Sequence, residues 1–77
     1  MFKTDISTTT YTDGEYMIDI VTGDEWYDAW LYRKDIGVKM LMFGIPKEDS
    51  TAEELLEMAL NDLESYKRIY DEDYAKE

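Results

Sequence analysis

The side chains able to do chemistry in this sequence are nearly all carboxylates. Nineteen Asp and Glu stand against eight Lys and Arg, giving a formal net charge of −11 over 77 residues, with no His and no Cys. The usual general base, the thiol nucleophile and both common zinc ligands are therefore missing. Two carboxylates sharing a site could still do acid–base work, because like charges held together raise one pKa. Asp19 and Asp28 are the candidate pair. No nucleophile or base stands near them, and no third oxygen ligand is in sight for a cation. Gly14, Gly23, Gly37 and Gly44 are isolated, so no phosphate loop is present. The run Asp71-Glu72-Asp73 lacks the order of a calcium loop, and Asn61-Asp62-Leu63 is not a glycosylation acceptor. The expectation is a non-enzymatic protein with no cofactor and no metal, whose function lies in its surface.

The charge on that surface is uneven. Residues 1–47 hold eight acids and five bases, a net of −3; residues 48–77 hold eleven acids and three bases, a net of −8. Direct nucleic-acid binding is excluded in practice, since phosphates attract Lys and Arg stripes. The acidic cluster serves solubility in one reading and attracts a basic protein partner in the other. Glu53, Glu54, Glu57, Asp62 and Glu64 are the candidate contacts.

Length and composition bound the body that carries this charge. The chain is expected to form one domain over residues 1–77, near the lower size at which a single core suffices without staples. Seven Tyr, two Trp and two Phe set it apart from a disordered acidic tail. The absence of Cys rules out a disulfide scaffold and suits a reducing compartment. The N-terminus has no apolar signal region and no apolar run approaches membrane-spanning length, so a cytoplasmic location away from membranes is expected.

The fold class read from the pattern is α+β: a four-stranded antiparallel meander with one long C-terminal helix on one face. The sheet is three-stranded if the polar first strand does not pair. Residues 4–12 are β-branched and mostly polar, which suits an edge strand. Asp13-Gly14 reads as a type I′ hairpin turn. Residues 15–21 alternate, Gly23-Asp24 is a second two-residue turn candidate, and residues 25–33 form a third strand. A loop at 34–37 leads to a fourth strand at 38–43, which Gly44-Ile45-Pro46 ends. Ser50 with Glu53 reads as a capping box that opens a helix over 51–74. Its apolar stripe is Ala52, Leu55, Leu56, Ala59, Leu63, Tyr66, Tyr70 and Tyr74.

Turn lengths fix which residues face each other. A two-residue turn at 23–24 sets Ile18 opposite Ala29 and Tyr16 opposite Leu31; a four-residue loop at 34–37 sets Leu31 opposite Met40. One face then carries Tyr16, Ile18, Ile20, Tyr27, Ala29, Leu31, Val38, Met40 and Met42, and the helix should cover it. The other face carries Met17, Asp19, Val21, Trp26, Asp28, Trp30, Tyr32, Lys39, Leu41 and Phe43. Trp26, Trp30 and Tyr32 make it a second candidate contact surface, because tryptophan is the residue type most enriched at binding hot spots. The same register sets Asp19 directly against Asp28, a repulsive pair. A misjudged turn, a bridging cation, or a basic group from a partner would each relieve it. The helix, at ~36 Å, is longer than a seven-residue strand of ~23 Å. Even if it crosses the sheet diagonally, its last turns, with Tyr66, Tyr70 and Tyr74 among acids, could overhang as an acidic projection; fraying of an acidic C-terminus is the alternative.

Two segments carry a likeness to known proteins: Trp26-Tyr27-Asp28-Ala29-Trp30-Leu31-Tyr32 with Lys34-Asp35-Ile36-Gly37, and Lys39-Met40-Leu41-Met42-Phe43-Gly44-Ile45-Pro46. With the acidic helix they resemble small acidic proteins of phages and mobile elements, among which anti-CRISPR proteins are found. The resemblance covers about half the chain and includes no diagnostic motif. It implies a stoichiometric inhibitor, acting in the host cytoplasm, that occupies a nucleic-acid site on a CRISPR effector or a similar defence nuclease. Such effectors hold nucleic acid in a positive channel, where spaced carboxylates could imitate phosphates, with Asp19, Asp28, Glu53, Glu54, Glu57, Asp62 and Glu64 as the candidates. A different class of function is an interaction module, homodimeric through the Trp26/Trp30 sheet face or a small subunit of an assembly.

Overall fold

Alternating apolar residues build the sheet, and the apolar helical stripe closes one side of it. The computed structural model describes residues 7–75. Its elements are β1 (Ser7–Asp13), β2 (Tyr16–Thr22), β3 (Trp26–Arg33), β4 (Met40–Pro46), α1 (Ala52–Asn61) and α2 (Leu63–Tyr70). The strands form an antiparallel sheet in the order β1-β2-β3-β4. The fold is the expected α+β meander, with all four strands paired. Residues 4–6 of the expected first strand lie outside the described residues.

The β1–β2 turn is one residue later than Asp13-Gly14. Asp13 pairs with Tyr16, so Gly14 and Glu15 are the central residues, and only Gly14 has positive φ, at 66°. That is the glycine-first pattern of a type II′ turn rather than type I′.

The β2–β3 connection is longer than two residues. Thr22 pairs with Tyr27, Gly23 N–H donates to the Trp26 carbonyl at 2.9 Å, and the register moves by two. Ile18 now faces Leu31, Ile20 faces Ala29, and Tyr16 faces Arg33. A shift of two keeps every side chain on its expected face. It also dissolves the repulsive pair: Asp19 faces Trp30, and Asp28 faces Val21. The misjudged turn was the correct explanation.

The largest departure is in β4. Leu31 faces Met40 as expected, but a bulge between Ala29 and Trp30 in the β3–β4 ladder sets Ala29 against Phe43 instead of Met42. Beyond it Gly44, Ile45 and Pro46 continue the strand, with Trp26 opposite Pro46. Phe43 and Ile45 consequently join the inner face and pack on the core, so Phe43 is not on the outer face. A bulge inserts one extra residue and reverses the facing of everything after it. Val38 precedes the strand and is half-exposed rather than inward, because the loop after β3 runs to Lys39.

The core comprises Ile18, Ile20, Ala29, Leu31, Met40, Met42, Leu55, Ala59, Leu63 and Tyr70. The helix caps one residue later than expected: Thr51 Oγ1 accepts from the Glu54 N–H at 3.2 Å, while Ser50 Oγ reaches Glu54 Oε1 at 3.1 Å. It is also interrupted. Asp62 leaves helical geometry at φ −108°, ψ 16°, and separates α1 from α2. Asn61 and Asp62 are both poor helix formers whose side chains compete with the backbone. The final turns, Asp71–Ala75, widen to π geometry.

Tyr66 and Tyr70 do not belong to an overhang: Tyr66 stacks on Phe43 with ring centroids 6.3 Å apart, and Tyr70 is fully buried with its hydroxyl donating to the Val38 carbonyl. Tyr74 stacks on Tyr70 yet stays 39 % exposed, beside the exposed Glu72 and Asp73. Among the described residues no helix is long and apolar enough to cross a membrane.

Candidate functional site

Three bases of the described residues, Arg33, Lys39 and Lys67, are engaged in internal ion pairs. Arg33 binds Asp35 through Nε–Oδ1 at 3.1 Å and Nη2–Oδ2 at 2.7 Å, and reaches Asp71 at 3.4 Å. Lys67 pairs with Asp13 at 3.1 Å and with Glu64 at 3.6 Å. Tyr16 lies under both cations and donates its hydroxyl to the Asp71 carboxylate at 2.7 Å. Burial first, and the Asp71 carboxylate second, push the Tyr16 phenol above its ordinary value. The hydrogen bond to Asp13 raises Lys67 in the same way. This knot ties the segment after α2 to the β2 and β3 strands through Asp71, which stays partly exposed.

Lys39 is taken up on the other face. Asp19 is only 3 % exposed, accepts from Thr10 Oγ1 at 2.8 Å and pairs with Lys39 Nζ at 2.9 Å. That hydrogen bond raises the Lys39 ammonium, which also lies 5.3 Å from the Tyr32 ring centroid. Asp19 is thus already satisfied; strand alternation put Lys39 on the same face but did not show that the two would pair. Asp28 is half-buried against Gly44, where an added Cβ would stand 2.6 Å from its Oδ1. Trp30 and Tyr32 are half-buried, whereas Trp26 and Leu41 are each 51 % exposed. The outer sheet face is therefore a mixed surface, with its apolar groups separated by an ion pair.

Glu53, Glu54, Glu57, Asp62 and Glu64 are all exposed on the helices. Among the described residues Glu53, Glu57 and Asp62 have no basic partner, Glu54 takes only the Ser50 hydroxyl, and Glu64 meets only the edge of Lys67. The helices cover the inner sheet face; Glu53 borders a surface pocket shared with Thr9 and Ile20, and Asp62 borders another shared with Phe43 and Ile45. The predicted contact residues thus divide between opposite sides of a two-layer molecule. Asp19, Asp28, Trp26, Trp30 and Tyr32 belong to one side, and the five helical carboxylates to the other. One flat partner surface cannot touch both sets.

A feature absent from the sequence reading lies at the end of the sheet where β4 leaves for α1. Asp24, Glu25, Trp26, Pro46, Lys47 and Glu48 line an open notch of about 450 Å³. Extending the fourth strand to Pro46 would have set Trp26 beside it, but Gly44 and Pro46 read as the strand's end.

Compared with known proteins, the chain has no match among protein-family models, curated protein sequences or solved structures.

Proposed function

We propose that this protein is a non-enzymatic inhibitor that occupies a basic nucleic-acid-binding site of another protein through the carboxylates of its helices. A CRISPR effector, or a host-defence nuclease of similar kind, fits the resemblance noted in the sequence. The observation that carries this reading is the set Glu53, Glu54, Glu57, Asp62 and Glu64, all exposed along the helical segment, where the bases are Lys67, which pairs with Asp13 and Glu64, and the exposed Arg68. Carboxylates on a rigid helix can meet Arg and Lys spaced to receive phosphates, and charge complementarity of this kind sets specificity and association rate. A protein partner is required, because direct binding to nucleic acid would bring like charges together.

The test is capture of a partner on immobilised protein from a bacterial lysate, followed by elution with duplex DNA. The expected result is a nucleic-acid-handling protein that DNA displaces, and that the variant E53Q/E54Q/E57Q/D62N/E64Q fails to hold. A partner that DNA does not displace, or that the neutralised variant retains, contradicts the proposal.

A second reading, a homodimer through the outer sheet face, draws support from the half-exposed Trp26 and Leu41. Sedimentation equilibrium separates the two, since a dimer that persists in Glu-to-Gln helix variants and dissociates on Trp26→Ala favours the module.

A further inference from the structure

The notch at the end of the sheet has a chemistry of its own. Its aromatic wall is Trp26, 51 % exposed although it is the largest side chain type in the protein. Pro46 stands opposite it in the β3–β4 register. The backbone around it is fixed: Gly23 N–H donates to the Trp26 carbonyl and Lys47 N–H to the Glu25 carbonyl, each at 2.9 Å. The first bond closes the β2–β3 loop on itself and the second fastens that loop to the turn at Lys47–Asp49, so the notch is preformed. Asp24, Glu25 and Glu48 supply three carboxylates to its lining. The fourth charged residue, Lys47, is directed elsewhere, its ammonium donating to the Gly23 carbonyl at 3.0 Å and lying 5.9 Å from the ring centroid of Tyr27. Tyr27 belongs to the inner face, whereas Trp26 belongs to the outer one.

We infer that this notch receives an arginine side chain of a protein partner, with the guanidinium over the Trp26 ring and Asp24, Glu25 and Glu48 as its counter-charges. Tryptophan is the aromatic side chain that attracts a cation most strongly to its face. The planar guanidinium both stacks on a ring and forms forked bonds to carboxylates, which the compact lysine ammonium does not. The notch opens broadly to solvent, which suits a side chain carried on another protein's surface better than an enclosed small molecule. The inference deepens the reading of a basic partner and rests on it. It adds a defined anchor beside the diffuse field of the helices, at the junction between sheet and helix layers.

The experiment is a titration of the ¹⁵N-labelled protein with N-acetyl-arginine amide, with N-acetyl-lysine amide and N-acetyl-norleucine amide in parallel. The Trp26 indole N–H and the amides of Glu25, Lys47 and Glu48 are expected to shift with arginine, while the Trp30 indole stays in place. Lysine should shift them about threefold less at equal concentration, and norleucine not measurably. Trp26→Ala should abolish the shifts, and D24N/E25Q/E48Q, which leaves the ring in place, should reduce them by about threefold. A Trp26 indole that does not move, or that moves equally with norleucine, overturns the inference. If arginine instead moves only the amides of Glu53, Glu54 and Glu57, the notch fails while the helical reading of the partner survives.

Discussion

At the scale of single residues, the outer face is arranged around two aspartates that the sequence set against each other and the structure separates. Asp28 has room because residue 44 is glycine. The Gly44→Ala change places a methyl 2.6 Å from Asp28 Oδ1 and 3.3 Å from the Tyr27 carbonyl oxygen. Overpacking of this kind should cost about 1 kcal/mol in urea denaturation, and clearly less in an Asp28→Ala background, where the obstructing carboxylate is gone. Equal costs in the two backgrounds would remove Asp28 from the explanation. The knot around Tyr16 gives a pH prediction. Its phenol lies above the ordinary value of 10.0 and the Lys67 ammonium above 10.5, both because the folded state favours the protonated form. A group raised on folding contributes stability that is fully present below its unfolded pKa and lost as pH rises through the folded one. Stability should therefore hold up to about pH 10 and fall above it, and the advantage of wild type over Tyr16→Phe should shrink over that rise. An advantage unchanged at alkaline pH would mean that Tyr16 does not couple to the carboxylate. None of these pairings was legible in the sequence. Asp71 and Tyr16 are 55 positions apart, and no periodicity connects them.

At the scale of elements, what periodicity encodes was legible and what local backbone geometry decides was not. The inner face of Tyr16, Ile18, Ile20, Ala29 and Leu31 was recoverable because the error in the β2–β3 turn was two residues, which preserves facing. Phe43 was put on the wrong face because a bulge is a one-residue event and the run Met40–Pro46 is apolar on both faces, while Ile45 was read as the strand's end because Gly44 and Pro46 flank it. The helix stripe survived the break at Asp62, since Ala59, Leu63, Tyr66 and Tyr70 keep their spacing across it. The cap was one residue out because Ser50 and Thr51 are both good cap residues, each with a Glu three positions on. The geometry chooses Thr51, so Thr51→Ala should cost about 1 kcal/mol and Ser50→Ala less than half as much. The reverse order in thermal or urea melts would restore the Ser50 capping box.

At the scale of the whole molecule, a net charge of −11 on 77 residues is held on a body with extents of 45 × 27 × 19 Å. The acidity of the helical segment was plain in the sequence. So was the placing of both tryptophans on the sheet face opposite the helices, because strand alternation gave the uncharged face to the helix. The notch was not legible, because it needs both the longer β2–β3 loop and the extended β4. The central claim is that the helical carboxylates stand in for phosphates on a basic protein site. The most direct measurement is the dissociation constant of the captured complex from low to physiological salt, for wild type and for E53Q/E54Q/E57Q/D62N/E64Q. Exposed charge pairs are screened over about 8 Å at physiological ionic strength. The account predicts wild-type binding that weakens steeply with salt, and a variant that binds at least about tenfold more weakly at low salt with a shallower slope. Equal affinity and equal salt dependence for the two proteins would contradict it.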